Sequence, residues 1–263
     1  MSLSSYAMAA DMFSPNGVTK PVQRAEMSFA TQGLVKEVLV KPGDAVKVGQ
    51  PLVQLDDSVE RKQLESMAIE ANSDLQTKAA EADLAQKKVD LSRKKQIQAN
   101  GGMNDAEVED AQLAVTIGEI RVQLAKEETN KKKAEVDAQQ KKIDRMVLIS
   151  QINGIVEKID SDPGEVADPS KPAVIVTDNS KLDIEASLKT EQVNKMKVGD
   201  AVEVRYEDEK EPRTAKIIFL SPGADAASST RLFRAEMTNT ENKPSGMSVA
   251  VKLPDRSQTA DSK

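Results

Sequence analysis

Cysteine, histidine and tryptophan are absent from this chain of 263 residues. Without cysteine there is no disulfide, no thiolate metal site and no cysteine nucleophile, and the redox compartment is left open. Without histidine the chain lacks the commonest metal ligand and the usual general base. Catalysis would have to rest on carboxylates and lysines alone, so we expect neither an enzyme nor a bound cofactor or metal.

Aromatic residues make up only 2% of the chain, whereas charged residues make up 30% and the net charge is −6. One thick hydrophobic core is therefore unexpected, and the prevalence of small apolar residues favours thin β modules and coiled coils, whose interfaces are narrow. Nucleic acid is excluded as an expected partner, because stacking platforms are missing and basic residues are interspersed with acidic ones. We expect an elongated α+β protein.

Long apolar runs are also missing, since no segment approaches the roughly 20 residues that a membrane-spanning helix needs. Residues 1–15 lack both the basic segment and the continuous apolar segment of a secretory signal. We therefore expect any export signal or membrane anchor to lie outside this chain. The polar residues 255–263 are expected to be a disordered tail.

The clearest feature that is present is an internal repeat. Residues 33–57 align without a gap on residues 154–178, with Gly33 opposite Gly154 and with glycine, proline, valine and aspartate recurring at matching positions. Each copy predicts a short strand, a turn and a second strand. A single copy has too few strands to be stable in water, so we expect the two copies to pair into one small sandwich that the intervening residues interrupt.

The turn in each copy carries a proline-glycine pair, Pro42 with Gly43 and Pro163 with Gly164. Proline presets φ and glycine accepts positive φ, so each pair predicts a type II turn. The two turns are therefore expected to have the same structural role in the two halves of the sandwich.

The residues between the copies predict two long helices. Proline is absent from 58–98 and 104–146, where good helix formers predominate. A glycine pair within 99–104 is expected to end the first helix, and Asn104 with Glu107 three residues later is typical of a capping box at the start of the second. At 1.5 Å per residue, arms of about 40 residues reach roughly 60 Å.

A seven-residue pattern of apolar and small side chains predicts that these helices form an antiparallel coiled-coil hairpin. On the second helix the predicted interface residues are Val108, Val115, Val122, Thr129, Val136 and Ile143, with Ala111, Gly118 and Ala125 beside them. On the first helix they are Leu64, Ala68, Ala71, Leu75, Ala82, Ala85 and Val89.

After residue 178 the pattern changes to short alternating strands around one short helix at 190–197, which predicts a small antiparallel β barrel. An incoming strand from 17–30 completes it. The predicted organisation is an N-terminal segment contributing to the barrel, a lipoyl-like domain in two halves, a coiled-coil hairpin, the barrel and a tail, at 1–30, 31–57 with 150–178, 58–149, 179–254 and 255–263.

The two glycine- and proline-punctuated halves resemble the biotinyl/lipoyl-domain fold. Carrier domains of that fold present a modifiable lysine at a tight hairpin, but the corresponding residues 56–65 are DDSVERKQLE, without such a hairpin. This departure argues against covalent attachment of lipoate or biotin. Lys62 is interpreted as an ordinary helix-surface residue.

Lipoyl halves that are split by a helical hairpin and followed by a β-rich segment resemble periplasmic adaptor subunits, the HlyD-like membrane fusion proteins. The resemblance covers residues 17–253 and rests on the order and spacing of the segments. It implies a non-enzymatic adaptor between an inner-membrane transporter, of the resistance-nodulation-division (RND) type in preference to the ABC type, and a TolC-like outer-membrane channel. It further implies a ring of copies on these partners, in the periplasm and attached to the inner membrane of a Gram-negative bacterium.

Adaptors that dock onto a TolC-like channel typically carry an arginine, a leucine and a serine at the hairpin tip. Arg93, Ile97 four residues later and Asn104 seven further on match those spacings, with isoleucine in place of leucine and asparagine in place of serine. The resemblance assigns channel docking to these three residues. The alternative is that Arg93 is one more solvated residue and Asn104 only a helix cap.

Two other functions remain open from the sequence. The first is a lipoyl or biotinyl carrier subunit of an enzyme complex, which the missing lysine hairpin disfavours. The second is a structural coiled-coil rod, for which a split sandwich would have no purpose.

Overall fold

A computed structural model describes residues 14–209 and 211–253. The predicted tail at 255–263 lies outside the described residues, as do residues 1–13 of the N-terminal segment. The strands are β1 (Ser14–Met27), β2 (Gly33–Val38), β3 (Ala45–Val46), β4 (Pro51–Leu55), β5 (Val147–Ile149), β6 (Gly154–Ile159), β7 (Val166–Ala167), β8 (Val174–Lys189), β9 (Ala201–Tyr206), β10 (Arg213–Leu220), β11 (Thr230–Thr238) and β12 (Ser248–Lys252). The helices are α1 (Ser58–Ala71), α2 (Leu75–Ala99), α3 (Asp105–Asp144) and α4 (Thr190–Val193).

The two repeat copies form one sandwich, in which a strand of each copy accepts a backbone hydrogen bond from the turn of the other. The amide of Gly43 donates to the carbonyl of Val156, and the amide of Gly164 donates to the carbonyl of Val35, both at 2.8 Å. The copies also pair through their strands, since β2 of the first copy pairs with β7 of the second and β3 of the first copy pairs with β6 of the second. The prediction that the two copies pair is confirmed, and they are related by a pseudo-twofold arrangement.

Both proline-glycine pairs lie in type II turns. Gly43 and Gly164 have φ values of 94° and 89°, and the residue after each glycine donates its amide to the residue before each proline, at 3.1 Å in both turns. Positive φ at the third position of the turn is what glycine allows. Pro42 and Pro163 occupy the second position, where their fixed φ suits the turn.

Gly33 and Gly154 are needed for a different reason, which is close packing. A Cβ at Gly33 would lie 2.9 Å from the Leu55 side chain, and one at Gly154 would lie 2.6 Å from the carbonyl oxygen of Thr177. Any side chain at position 154 would therefore push the backbones of β6 and β8 apart. The hydrophobic core of the sandwich comprises Met27, Phe29, Val35, Val40, Val46, Leu52, Val53, Leu55, Met146, Leu148, Val156, Ala167, Ala173, Val174 and Val176.

The helical hairpin leaves and re-enters the sandwich at one place. The amide of Leu55, at the end of β4, donates to the carbonyl of Met146 at 2.9 Å. The next residues, Val147–Ile149, pair with β4 in the four-stranded sheet β5-β4-β2-β7. These three residues fall within the range 58–149 predicted for the hairpin, but they are a sandwich strand because Leu148 is buried in the sandwich core.

The first arm is divided into α1 and α2 at residues 72–74, where one continuous helix was predicted. The amide of Asn72 donates to Ala68, and the amide of Ser73 donates to Glu70, after which α1 ends. Asparagine, serine and aspartate side chains compete with helical backbone hydrogen bonds, which explains a break at this run.

This break changes which residues of the first arm face α3. The predicted residues Leu64, Ala68 and Ala71 are buried or half-buried, but Leu75, Ala82, Ala85 and Val89 are exposed, so that part of the prediction is wrong. Beyond the break, the residues that face α3 are Thr77, Ala80, Leu84, Lys87, Leu91, Lys94 and Gln98. The pattern predicted for α3 is confirmed, since all nine of its positions are buried or half-buried.

The barrel is closed by the strand order β1-β12-β9-β10-β11-β8, with β8 returning to β1. Tyr206, Phe233, Leu182, Ile184 and Ile217 are its largest fully buried side chains. The helix predicted at 190–197 is shorter, because α4 ends at Val193 and a turn follows.

Two long strands run through both β modules. Residues 23–27 of β1 pair with the first part of β8 in the sandwich, and residues 17–21 pair with its second part in the barrel, across a bulge between Pro21 and Gln23. The predicted fold class, a split lipoyl-like sandwich with an inserted helical hairpin followed by a small barrel, is confirmed.

Candidate docking site

The tip of the hairpin begins with a tightly bonded end of α2. The amide of Gly101 donates to the carbonyl of Gln98 at 2.8 Å, and the amide of Gly102 donates to that of Ile97 at 3.0 Å. With Gly101 at a φ of 77°, this is a Schellman motif, which satisfies the last carbonyls of a helix. The chain therefore turns within a few residues and in one defined direction.

The start of α3 is capped by Asn104. Its side-chain oxygen accepts the amide of Glu107 at 2.9 Å, and its backbone is extended, as expected of an N-cap. Asp105 and Glu107 place negative charge in the first turn, where the helix dipole favours it. The Nε2 of Gln98 donates to Asp105 at 2.7 Å across the turn, which links the two helix ends.

Apolar packing begins directly below the turn. Leu91 of α2 packs with Val108, Ala111 and Val115 of α3, and the half-buried Met103 and Leu84 close the cluster above and below. Because small residues occupy part of this interface, the two helices lie close together. The tip is thus supported by a short hydrophobic cluster and two capped helix ends.

The three predicted docking residues are all exposed at this end of the hairpin. Arg93 and Ile97 are four residues apart on α2 and therefore neighbours on one side of that helix. The Arg93 guanidinium makes no hydrogen bond or ion pair with any other described residue, and Ile97 remains 44% exposed. Asn104 lies across the turn at the start of α3, where its side-chain oxygen is engaged in the cap.

Ion pairs across the arms set their register, and sequence patterning did not identify them. Lys88 lies 2.8 Å from Glu119, and Lys126 lies 3.0 Å from Glu81, on one edge of the interface. The signal available in the sequence was a seven-residue spacing of opposite charges on each helix, with Glu81 and Lys88 on α2 and Glu119 and Lys126 on α3.

The lysine nearest the carrier-domain attachment position lies on a helix surface. Lys62 is in α1, and its ammonium donates to Glu65 at 2.9 Å. That hydrogen bond raises the pKa of Lys62 and keeps the side chain charged. Lys62 is therefore neither on a tight β hairpin nor activated as a nucleophile.

The described residues contain no cluster of three or more acidic side chains arranged to hold a metal ion. Among the helices of the same region, none combines the length and the apolar character required to cross a bilayer.

Comparison with known proteins agrees with this architecture. The family described as the YknX barrel-sandwich hybrid domain matches residues 28–177, which is more than half of the chain. An uncharacterized protein of Haemophilus influenzae is 24% identical over 223 residues, covering 84% of this chain and 51% of that protein. The chain thus spans about half the length of this curated relative.

Two solved structures share the fold. MacA from Actinobacillus actinomycetemcomitans superposes with a TM-score of 0.73 at 18% identity, over 91% of this chain and 78% of that one. The membrane fusion protein Spr0693 from Streptococcus pneumoniae R6 superposes with a TM-score of 0.61 at 18% identity, over 90% and 97% of the two chains. The predicted resemblance is confirmed: the chain belongs to the YknX barrel-sandwich hybrid domain family and has the fold of membrane fusion adaptor proteins.

Proposed function

We propose that this protein is a periplasmic adaptor that links an inner-membrane transporter to a TolC-like outer-membrane channel for efflux or secretion. The observation that carries the proposal is the hairpin tip, which is capped at both helix ends and presents an unpaired arginine beside an exposed isoleucine. A tip of this kind is organised to contact something outside the chain. No described residue forms a hydrogen bond or an ion pair with the guanidinium of Arg93.

The architecture supports such a role mechanically. With 40 residues in α3, the second arm extends roughly 60 Å from its root. At the root, the backbone hydrogen bond from Leu55 to Met146 joins both arms to adjacent sandwich strands. A long hairpin with a fixed root places its tip at a defined distance from the sandwich, as a link between two membranes requires.

The tip residues have chemistry that suits a protein rim. Arg93 can donate paired hydrogen bonds to a carboxylate or to carbonyl groups of a channel. Ile97 supplies an apolar side chain of modest size. The side-chain oxygen of Asn104 caps α3, and its side-chain nitrogen forms no hydrogen bond with any described residue and can donate to the channel. In this proposal the three residues form one contact surface on the channel.

The remaining partners follow from the same proposal. The sandwich and barrel would contact the transporter, of the RND type in preference to the ABC type, and several copies would form a ring on these partners. The location would be the periplasm of a Gram-negative bacterium, at the inner membrane. No catalytic step is required of any residue, and nucleic acid is not a partner.

Replacing Arg93 with aspartate tests the docking surface. In a strain whose transport depends on this protein, Arg93→Asp should abolish transport and cross-linking to the channel, because the charge at the rim is reversed. Circular dichroism and thermal unfolding should be almost unchanged, since exposed side chains contribute little to stability.

The matched control is Lys133→Asp, an equivalent charge reversal on α3. Lys133 is exposed, and its ammonium has no partner among the described residues. Lys126 is less suitable as a control because it is paired with Glu81. Normal transport by both variants would show that the tip is not a docking surface.

The carrier alternative has a separate test, which is the intact mass of the protein purified from its host. The exposed, ion-paired Lys62 predicts an unmodified mass. A lipoyl or biotinyl adduct would overturn the adaptor proposal in favour of the carrier.

A further inference from the structure

Asparagine is followed directly by glycine at three places in the chain. The pairs are Asn16 with Gly17, Asn100 with Gly101, and Asn153 with Gly154. Asparagine is one of the thermolabile residues, and it deamidates fastest before glycine, which has no side chain to hinder attack by its own amide nitrogen. Because the reacting residues are the same at the three places, the fold decides which pair reacts.

The pair at the hairpin tip is exposed at both residues. The side chain of Asn100 forms no hydrogen bond with any described residue. The amides of Gly101 and Gly102 donate to the carbonyls of Gln98 and Ile97 at 2.8 and 3.0 Å, and these bonds belong to the last turn of α2. The ends of helices open at a small cost in free energy, so the Gly101 amide is released more readily than one in a core strand.

The closed tip is not itself in the geometry for reaction. With a ψ of 10° at Asn100, the Gly101 nitrogen is aligned with the backbone nitrogen of Asn100 and turned away from its Cβ. Ring closure therefore needs rotation about this bond and release of the Gly101 amide from Gln98. Glycine at the next position accepts the new backbone conformation at little cost.

The pair in the sandwich is held at both of its residues. The side-chain oxygen of Asn153 accepts the amide of Val48 at 3.0 Å, and Gly154 begins β6, where it pairs with Val46 of β3. A Cβ at Gly154 would lie 2.6 Å from the carbonyl oxygen of Thr177, so the backbone is in close contact with β8. Rotation at Asn153 therefore requires the sandwich to open.

The pair in the barrel is held through its glycine. Gly17 is buried in β1, where it pairs with Ala186 of β8 on one side and with Val249 of β12 on the other. A Cβ at Gly17 would lie 3.0 Å from the Val249 side chain. Movement of the Gly17 amide therefore requires separation of the strands that close the barrel.

We propose that Asn100 is a selective deamidation site, which alters the hairpin tip while the other two pairs stay intact. Hydroxide removes the amide proton of Gly101, and the nitrogen bonds to Cγ of Asn100. The Cγ–Nδ2 bond then breaks, and Nδ2 takes a proton from water and leaves as ammonia. Water opens the resulting succinimide ring at Cγ to give aspartate, or at the backbone carbonyl carbon to give isoaspartate.

Either product changes the tip. The new carboxylate is a negative charge at the C-terminus of α2, where the helix dipole disfavours it. In isoaspartate the main chain runs through Cγ and gains one carbon inside the Schellman motif formed by the Gly101 and Gly102 amides. Arg93 and Ile97 lie on the last two turns before this motif. A loss of docking by the modified tip follows from the proposed function, on which this consequence alone rests.

The test incubates the intact folded chain for days in warm, mildly alkaline buffer, followed by peptide mapping with mass spectrometry. Replacement of NH2 by OH raises the peptide mass, and fragment ions distinguish Asn100 from Asn104 in the same peptide. Asn100 should convert at least about tenfold faster than Asn16 and Asn153, because a helix end opens at lower cost than paired strands. A methyltransferase specific for isoaspartate should label the peptide that contains Asn100.

The same chain unfolded in guanidinium chloride is the control for the role of the fold. All three pairs should then react at similar rates. A large preference for Asn100 in the unfolded chain would assign the selectivity to the flanking sequence and overturn the proposal. So would equal rates at the three pairs in the folded chain, or an unmodified Asn100 over a period in which the unfolded chain has reacted.

Asn100→Gln is the matched variant, because a side chain longer by one carbon must close a larger ring, which forms far more slowly. It should lose the modification and keep the helicity and melting temperature of the wild type. In wild-type protein that has been aged and enriched by anion exchange, hydrogen exchange should be faster at residues 97–104 and unchanged in the sandwich strands. Unchanged exchange at the tip would overturn the inferred effect on its structure.

Deamidation is measured without channel or transporter, so this proposal and the docking proposal can fail separately. Aged wild-type protein should cross-link to the channel less than fresh protein, whereas aged Asn100→Gln should match its own fresh sample. Selective deamidation at Asn100 together with normal transport by Arg93→Asp would reject channel docking alone. An equal loss of cross-linking on ageing of Asn100→Gln would show that Asn100 is not the cause.

Discussion

Asp57 is the residue at which the sandwich ends and the first helix begins. Its carboxylate is buried, and its Oδ2 accepts the Nε of Arg61 at 2.7 Å, with a second guanidinium nitrogen at the same distance. The hydrogen bond with Arg61 lowers the pKa of Asp57, against the opposing effect of burial. The buried charge at the root of the hairpin is therefore stabilised chiefly by Arg61 in the next helical turn, with a longer hydrogen bond from Nε2 of Gln54 at 3.5 Å.

Replacing Asp57 with asparagine should lower the free energy of unfolding by about 1–3 kcal/mol at neutral pH, because a charge-assisted hydrogen bond to a buried group is lost. The pKa of Asp57 is lower in the folded protein than in the unfolded chain, so its contribution is complete above the unfolded pKa and is lost as the pH falls through the folded one. The difference between wild type and variant should shrink below about pH 4.

Urea unfolding at pH 7 and at pH 3 measures this difference. Glu65→Gln, in the exposed pair with Lys62, is the control and should change stability little at either pH. An equal effect of Asp57→Asn at both pH values would show that the carboxylate charge is not responsible.

In the hairpin, one small residue allows the two arms to approach closely. Gly118 is buried in α3, and a Cβ there would lie 3.1 Å from Leu84 and 3.4 Å from Lys87 on α2. Glycine within a helix normally costs stability relative to alanine. Its presence at this position is explained by the close approach of the two arms.

Gly118→Leu should therefore destabilise the hairpin by about 1–3 kcal/mol, the usual cost of overpacking, in spite of the better helix propensity of leucine. Hydrogen exchange should locate the loss in α2 and α3 and leave the sandwich strands protected. Thr116→Leu, on the exposed surface of the same helix, is the control and should leave exchange in α2 unchanged. Equal exchange in Gly118→Leu and wild type would mean that the arms are not packed at this point.

At the scale of the whole molecule, the β modules are continuous without the hairpin. Strands β4 and β5 pair directly, and β1 and β8 run through both sandwich and barrel. The sandwich and hairpin have separate hydrophobic clusters. The hairpin is thus an insertion whose removal leaves each strand pair intact.

A chain in which residues 58–144 are replaced by a short glycine-serine loop should therefore fold. Far-ultraviolet circular dichroism should lose most of its helical signal, while thermal unfolding of the β modules should remain cooperative. The proposed transport function should be abolished, because the channel contact is removed. An unfolded or aggregated product would show that the sandwich needs the hairpin to bring its two halves together.

The sequence alone determined the order of modules. Proline-glycine pairs require particular φ values, and helices of this length need runs without proline, so both are local properties that composition and spacing express directly. The repeat made the pairing of residues 33–57 with 154–178 predictable, since neither half can bury its apolar face alone. The α3 interface was predictable because that helix is uninterrupted.

Only the tertiary structure decided which face of α2 is covered. The break at residues 72–74 changes the rotation of the helix that follows, so the residues chosen by a continuous pattern, such as Leu75 and Val89, point outward. It also decided that Val147–Ile149 belongs to the sandwich, because a strand this short is defined by its neighbour β4. Burial and register depend on partners that are distant in sequence, which local propensity does not encode.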